Sequence, residues 1–384
     1  MNRQILILFP AFVFLILSCG HKENKVLTTN VELEKAKTLK RISIDERTPN
    51  VSSGLMAFEN LLFNLNWSYN QIQIYDLKKD RLIRNLNFEI EGDKGVGNVF
   101  GFHVHNLDSI FLFGQMEPVI YLTDTSGTIK NRIRYQIPEG YSSAFVHPTY
   151  FFSPPIIQSG EMIVKTHFLG NYREATNDEL KEKHMIYAIN LDTGKSRLLS
   201  HKYPDDYLSD GLRHFEPSIA VGAGKIVYSL FGDHRVFYSD SFEGKLLSKQ
   251  AKSAYLDNTL KLFPIDGGRF ENQYYMNAYS RYDNLVFDSF RKVFYRFAYP
   301  TLDIVDENAV TRLRNAPGPF SILILDEDLQ VIGETEFEEG EYLPSNFFIA
   351  EEGLYLSINH PDNPENKEEY MSFQLLELKD LPEK

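Results

Sequence analysis

Pro217-Ser218-Ile219-Ala220-Val221-Gly222-Ala223-Gly224-Lys225-Ile226-Val227-Tyr228 reads as strand, glycine turn, strand, and Arg235-Val236-Phe237-Tyr238-Ser239-Asp240 reads as a third strand ending on an acid. Short runs of β-branched and aromatic residues bounded by Gly and Asp are the pattern of antiparallel hairpins. Asp240-Ser241-Phe242-Glu243-Gly244 then turns the chain into a fourth strand. Together they make a four-stranded antiparallel unit.

The acid-ended strand recurs at Ile72-Gln73-Ile74-Tyr75-Asp76, at Val119-Ile120-Tyr121-Leu122-Thr123-Asp124 and at Ile186-Tyr187-Ala188-Ile189-Asn190-Leu191-Asp192. It returns at Ile322-Leu323-Ile324-Leu325-Asp326 and at Phe373-Gln374-Leu375-Leu376-Glu377. The hairpin in front of it recurs at 284–295 and 345–356, and with looser turns at 54–63, 101–113 and 151–164. In Asp124-Thr125-Ser126-Gly127 and Asp192-Thr193-Gly194 the carboxylate can accept backbone N–H bonds, and glycine supplies a positive φ. No long stretch carries a 3.6-residue apolar period, so the chain is predicted to be all-β.

Six such units in series predict a six-bladed β-propeller of four-stranded antiparallel blades. A two-sheet sandwich needs only about seven to nine strands and no repeat. Asp76 and Asp124 are 48 residues apart, as are Asp192 and Asp240. The longer gaps between the other marks locate insertions at 171–183, 256–273 and 300–319. The sixth unit runs out of chain at Leu381-Pro382, after its third strand. Its outer strand is predicted from the N-terminal side, at Leu39-Lys40-Arg41-Ile42-Ser43-Ile44. Pairing the two ends would close the ring and leave no open sheet edge.

Residues 1–18 read as a secretory signal: a polar start with Arg3, then an apolar run over 5–17 broken only by Pro10. Thirteen helical residues rise about 20 Å, short of the roughly 30 Å hydrocarbon core. Ile16-Leu17-Ser18-Cys19 resembles a lipobox, with an aliphatic residue at −3 and a small one before the thiol that would be acylated. The alternative is an ordinary signal with an incidental cysteine, since Leu17 is bulky for its place. The reading gives a signal peptide at 1–18, a lipidated Cys19 with a polar tether over 19–30, and the propeller over 31–384. Bacterial lipoproteins of this type carry three acyl chains, enough for stable anchoring, whereas one chain binds only marginally. The expected place is the outer membrane, with either leaflet possible. Gly20-His21-Lys22-Glu23-Asn24-Lys25 is read as a solvated linker, with a loose likeness to surface-export tags.

Cys19 is the only cysteine, so no internal disulfide can form. The exported fold must be held by packing, for which 43% hydrophobic and 14% aromatic residues suffice. A net charge of −13 repels phosphate backbones, and no basic stripe is interleaved with aromatics, so nucleic acid is excluded as a partner. A monomer is expected.

Tyr282-Asp283-Asn284-Leu285-Val286-Phe287-Asp288-Ser289-Phe290-Arg291-Lys292-Val293-Phe294-Tyr295-Arg296-Phe297, supported by Phe100-Gly101-Phe102-His103-Val104-His105-Asn106-Leu107-Asp108-Ser109-Ile110-Phe111, resembles a family of exported lipoproteins of Bacteroidota-type bacteria known as domain-of-unknown-function family 4221. The resemblance implies a six-bladed propeller related in shape to TolB-like and NHL-like propellers. It brings no activity and no catalytic residues.

Five residues are candidates for a ligand-facing surface: His103, His105, His147, His214 and Arg296. His103 and His105 share one face of a strand and could share a metal, with His147 or His214 completing the set. The alternative leaves them hydrogen-bonded and metal-free beside the channel, and no cofactor is expected. Arg291, Lys292 and Arg296 could grip an anion, or else serve as turn and strand-face residues paired with Asp283 and Asp288. His214-Phe215-Glu216 and Glu341-Tyr342 precede the first strands of two units, where one propeller face opens. No G-x-S-x-G elbow, P-loop or H-E-x-x-H occurs. The function expected is recognition of a protein or glycan partner at the envelope. The alternative is a calcium-dependent lactonase- or esterase-like hydrolase, or a lyase, with carboxylates and Asn converging on the central channel.

Overall fold

Turn acids cut the chain into short strands, and those strands pair with their sequence neighbours. The computed structural model describes residues 30–114, 117–144, 146 and 149–381; Cys19 and His147 lie outside them. An N-terminal strand β1 (Val31–Ser43) comes first. β2 (Leu55–Phe58), β3 (Leu61–Asn66), β4 (Gln71–Asp76) and β5 (Arg81–Asn87) form one antiparallel sheet in chain order. β6 (Gly101–Asn106), β7 (Ser109–Phe113), β8 (Val119–Thr123) and β9 (Asn131–Arg134) form the next. β10 (Ile156–Gln158), β11 (Glu161–Lys165), β12 (Ile186–Asn190) and β13 (Ser196–Leu198) form a third. β14 (Pro217–Gly222), β15 (Lys225–Leu230), β16 (Arg235–Ser239) and β17 (Leu247–Gln250) form a fourth.

The remaining strands are β18 (Arg281–Asp288), β19 (Val293–Tyr299), β20 (Phe320–Leu325), β21 (Val331–Phe337), β22 (Leu343–Ile349), β23 (Leu354–Ser357) and β24 (Tyr370–Asp380). With β1 they form one eight-stranded sheet, β18-β19-β20-β21-β1-β24-β23-β22. Within it β1 lies antiparallel to β24, in a register running from Val31 opposite Asp380 to Ser43 opposite Tyr370. The strand predicted at 39–44 is thus longer, starting at Val31, and it pairs where expected. β1 touches β21 in parallel at one place, Val31 opposite Gly333. A Cβ on Gly333 would sit 2.1 Å from the Val31 carbonyl oxygen, so only glycine allows this approach.

Alternation along the strands produces six apolar clusters, each spanning two units. Phe63 and Ile74 meet Phe102 and Leu112; Phe113 and Ile120 meet Met162 and Tyr187; Ile186 meets Ile219 and Tyr228. Val227 and Val236 meet Leu285 and Phe294, and Phe297 and Ile322 meet Phe347 and Leu356. The sixth joins the chain's end to its beginning, Phe348 and Phe373 packing with Leu62 and Tyr75. Each fully buried Leu, Ile or Phe stabilises by about 1.5–3 kcal/mol, so these interfaces hold the fold without a crosslink.

Three of the six strand-ending acids accept turn N–H groups among the described residues, Asp124 Oδ1 taking that of Ser126 (2.7 Å). Asp76 Oδ1 accepts the N–H groups of Lys78 and Lys79 (2.9 and 3.1 Å), and Asp326 Oδ1 those of Asp328 and Gln330 (2.9 and 2.8 Å). At 192–194 the acceptor is different. Asn190 Oδ1 takes the N–H groups of Asp192 and Thr193 (3.2 and 2.8 Å), because β12 ends two residues before the aspartate.

Candidate functional site

Residues 149–153 tie several sheets together. The Phe151 N–H donates to Asp283 Oδ1 and the Phe152 N–H to Asn284 Oδ1, both at 2.8 Å on β18. Ile219 N–H and Ser218 Oγ of β14 donate to the Phe152 carbonyl at 2.9 and 2.6 Å. Thr149 Oγ1 donates to the Ser53 carbonyl just ahead of β2 (3.0 Å). The Phe152 ring meets Phe347 of β22 edge-on at 6.3 Å. The segment therefore plugs the place where the first strands of several units converge.

Phe151 is held at φ +46°, a region costing a non-glycine residue of order 1–3 kcal/mol. Its neighbours enforce the conformation. Asp283 takes its N–H, while Lys165 Nζ and Ser153 Oγ donate to its carbonyl at 3.0 and 2.9 Å.

Above this plug lies a cavity of about 1310 Å³. Its floor holds Phe151, His214, Glu216, Phe231 and Asp283, and Phe100, Tyr150 and Ser345 stand at other points of the lining. Much of the remaining lining comes from the three predicted insertions and the helices they lead into, with Val51, Arg281, Tyr299 and Leu343 among the residues added by the strand units. The first carries a 3-10 turn, Tyr172–Glu174, and a short helix α1 (Asn177–Leu180), and contributes Arg173. The second leads into α2 (Arg269–Asn277), contributing Arg269, Asn272, Gln273, Met276 and Asn277. The third forms α3 (Glu307–Arg312), started by Asp306 Oδ2 accepting the Ala309 N–H (2.8 Å), and contributes Thr311, Arg314 and Asn315. The helices are pinned in place. Tyr274 Oη donates to the Leu302 carbonyl (2.6 Å), Thr311 Oγ1 to Gln273 Oε1 (2.9 Å), and the His214 N–H to Tyr275 Oη (3.0 Å).

The floor is electrically uneven. Lys165 Nζ, almost wholly buried, bonds Glu216 Oε1 at 2.6 Å. Burial opposes the Glu216 charge, but Lys165, His167 and His214 outweigh it and hold the carboxyl down to about 2. Asp283 goes the other way, pushed up to about 6 by burial against the pull of the Phe151 N–H and Arg281. Burial lowers His214 to about 4, so it is neutral at physiological pH. Its ring sits among Phe151, Tyr172 and Phe231 at 4.9, 5.6 and 5.3 Å. His214 Nε2 and Asn272 Oδ1 are buried polar atoms of this lining without a hydrogen-bond partner among the described residues, a state that costs about 1–3 kcal/mol unless something bonds them. Arg281 donates Nη1 to the carbonyls of Asn277 and Tyr279 (2.9 and 3.3 Å) and lies over the Tyr299 ring at 4.2 Å.

Of the residues singled out from sequence, His214 lines the cavity and Glu216 does so beside it. Glu341 pairs with Lys35 (2.7 Å) and Tyr342 is buried. His103 and His105 lie on β6 away from the cavity lining, His103 driven to about 4 by burial and by the neighbouring His105. Among the described residues no group of three or more His, Cys, Asp and Glu is placed to hold a metal. Arg296 is fully buried and also outside the lining. It donates to Ser229 Oγ and to the carbonyls of Asp233, His234, Arg235 and Ala251, and lies 3.4 Å over Tyr282. Arg291 pairs with Asp288 (3.0 Å), and Lys292 occupies the β18–β19 turn at φ +55°. The cavity arginines and Asn272 were not anticipated, although insertions into a regular repeat were the signal that could have located them.

The sequence profile described as "Domain of unknown function (DUF4221)" matches residues 30–336, and the chain belongs to that family. A member of the family from Bacteroides vulgatus, known from its crystal structure, superposes with a TM-score of 0.81 at 23% identity, covering 92% of this chain and 100% of that one. A Bacteroides fragilis protein described as exported superposes with a TM-score of 0.54 at 10% identity, covering 92% of this chain and 96% of that one. These likenesses concern the fold. No curated protein matches the sequence.

Proposed function

We propose, starting from its membership of the DUF4221 family, that the chain is a ligand-binding module of the cell envelope. It is a six-bladed β-propeller, closed by β1, that takes an oligosaccharide in the cavity above the 149–153 plug. The cyclic series of six apolar clusters supports the ring, the sixth joining the last unit to the first. The lipobox-like Ile16-Leu17-Ser18-Cys19 supports export and anchoring in the outer membrane through an acylated Cys19. The exported description of the B. fragilis neighbour agrees with a site outside the cytoplasm.

The cavity is the observation that carries the reading. At about 1310 Å³ it exceeds the roughly 300–1,000 Å³ of ordinary small-ligand pockets, so a chain of several units suits it better than one small molecule. It is concave, with α2 and α3 contributing to its wall, whereas a folded protein partner needs about 800 Å² of accessible surface. Its lining combines aromatic side chains with the side-chain amides of Asn272, Gln273, Asn277 and Asn315. Sugar rings have apolar faces and hydroxyl edges, which ask for that mixture.

A catalytic reading draws on one observation: Asp283 and Glu216 stand in the same cavity with acidities driven apart, as acid and base partners often are. A calcium-dependent version lacks a clustered carboxylate donor set among the described residues. Recognition is favoured because both carboxyls are committed to fold contacts, Glu216 to Lys165 and Asp283 to the Phe151 N–H.

The test is calorimetric titration of the purified full chain with neutral, uronate and sulfated tetra- to hexasaccharides. Saturable binding by at least one class, lost in Asn272→Ala, supports the reading. Silence across the panel refutes it, and release of shortened products would establish the catalytic reading instead. Palmitate labelling abolished by Cys19→Ala checks the anchor.

A further inference from the structure

Four arginines, Arg173, Arg269, Arg281 and Arg314, line the cavity of a chain whose net charge is −13. None of them is among the arginines that ion-pair with a carboxylate in the described residues. Arg281 is fixed in the wall by its two carbonyl bonds, and Arg173 donates Nη1 to the Ile265 carbonyl (3.3 Å) and lies over the Phe263 ring at 5.6 Å. Two carboxylates share the lining, and one is already neutralised by Lys165. Six arginines elsewhere in the described residues pair with acids; here four share one lining with only Glu216 and Asp283.

Beside them stands an aromatic platform. Trp67, 41% exposed, stacks on Phe100 of the cavity lining at 5.0 Å and 21°. The platform is at the same end as the cavity, because β3 delivers Trp67 beside the start of β2.

We infer that the ligand is an anionic oligosaccharide, its acid groups taken by the cavity arginines while a sugar ring lies against the Trp67–Phe100 stack. The inference rests on the oligosaccharide reading above and names its chemical class. Guanidinium groups meet carboxylate or sulfate with paired, charge-assisted bonds, and a concave, partly desolvated site strengthens them. Carboxylate and sulfate are two sources of the same anionic chemistry, and the experiment separates them.

Trp67 is the only tryptophan, so its fluorescence reports on this platform without labelling. The full chain is titrated with tetragalacturonate, with its fully methyl-esterified form, with a sulfated tetrasaccharide and with tetraglutamate, each at low and at 0.5 M salt. The inference expects the uronate or the sulfated sugar to bind about tenfold or more tighter than the ester, with the advantage shrinking in salt. Arg314→Ala should remove most of that advantage and Arg314→Lys only part, with melting temperatures unchanged because Arg314 is exposed. Equal affinity for acid and ester overturns the anionic class and leaves the oligosaccharide reading standing. Tight binding of tetraglutamate alone overturns the carbohydrate class. No response to any of the four overturns both readings.

Discussion

Replacing Lys165 with methionine tests how the floor of the cavity is built. Lys165 Nζ bonds Glu216 Oε1 (2.6 Å) and the carbonyls of Phe151 (3.0 Å) and Pro217 (3.3 Å), with only 5% of its side chain exposed. Methionine fills similar volume but leaves Glu216 as an unmatched charge and weakens the hold on Phe151 in its positive-φ conformation. Breaking a buried pair from one side costs about 3–5 kcal/mol. Glu216 keeps 30% of its side chain in contact with solvent, so a value near 3 kcal/mol is expected. The assay is chemical denaturation of Lys165→Met, Glu216→Gln and the double variant. In the double variant the charge part of the loss returns, while the carbonyl part, about 1–2 kcal/mol, remains. A single variant costing under 1 kcal/mol, or a double variant no better than the single, refutes the ion-pair account of the floor.

The other predictions concern charge and closure. Asp283→Asn keeps an acceptor for the Phe151 N–H and removes a carboxyl whose pKa burial raises from 3.8 to about 6. A carboxyl raised on folding favours the fold below its unfolded value and loses that advantage as pH climbs through about 6. The variant should therefore gain roughly 3 kcal/mol at pH 8 relative to its effect at pH 3.5, measured by denaturation at both; a pH-independent difference sinks this. Arg296→Met leaves four backbone carbonyls without their buried donor and should cost about 3–5 kcal/mol by denaturation, without changing ligand affinity per folded molecule. Gly333→Ala places a methyl against the Val31 carbonyl and should speed amide exchange in residues 31–35 while sparing β14–β17; unchanged exchange at Val31 would count against the contact.

The strand units were legible because their signal is local: a period of two, an acid at the strand end and a glycine in the turn. The pairing of β1 with β24 was legible because a unit lacking a strand and a spare alternating segment point to each other. The plug was not. Nothing in Thr149-Tyr150-Phe151-Phe152-Ser153 states that Phe151 adopts a positive φ, since that conformation is imposed by Asp283, Lys165 and Ser153, distant or neighbouring groups that only the fold aligns. His214 and Glu216 were found because they precede the first strand of a unit. Three of the four cavity arginines, Arg173, Arg269 and Arg314, were missed because insertions break the repeat that made the rest readable. Arg296 misled for a simple reason: a cation among aromatics looks alike whether it meets a ligand or caps buried carbonyls.

The measurement that reaches the central claim most directly is hydrogen exchange of the full chain with and without saturating tetragalacturonate. The account expects protection in residues 149–153, in α2 and across 311–317, the plug and two of the walls of one cavity. Protection confined to other surfaces, or none at a concentration where calorimetry shows binding, would contradict it.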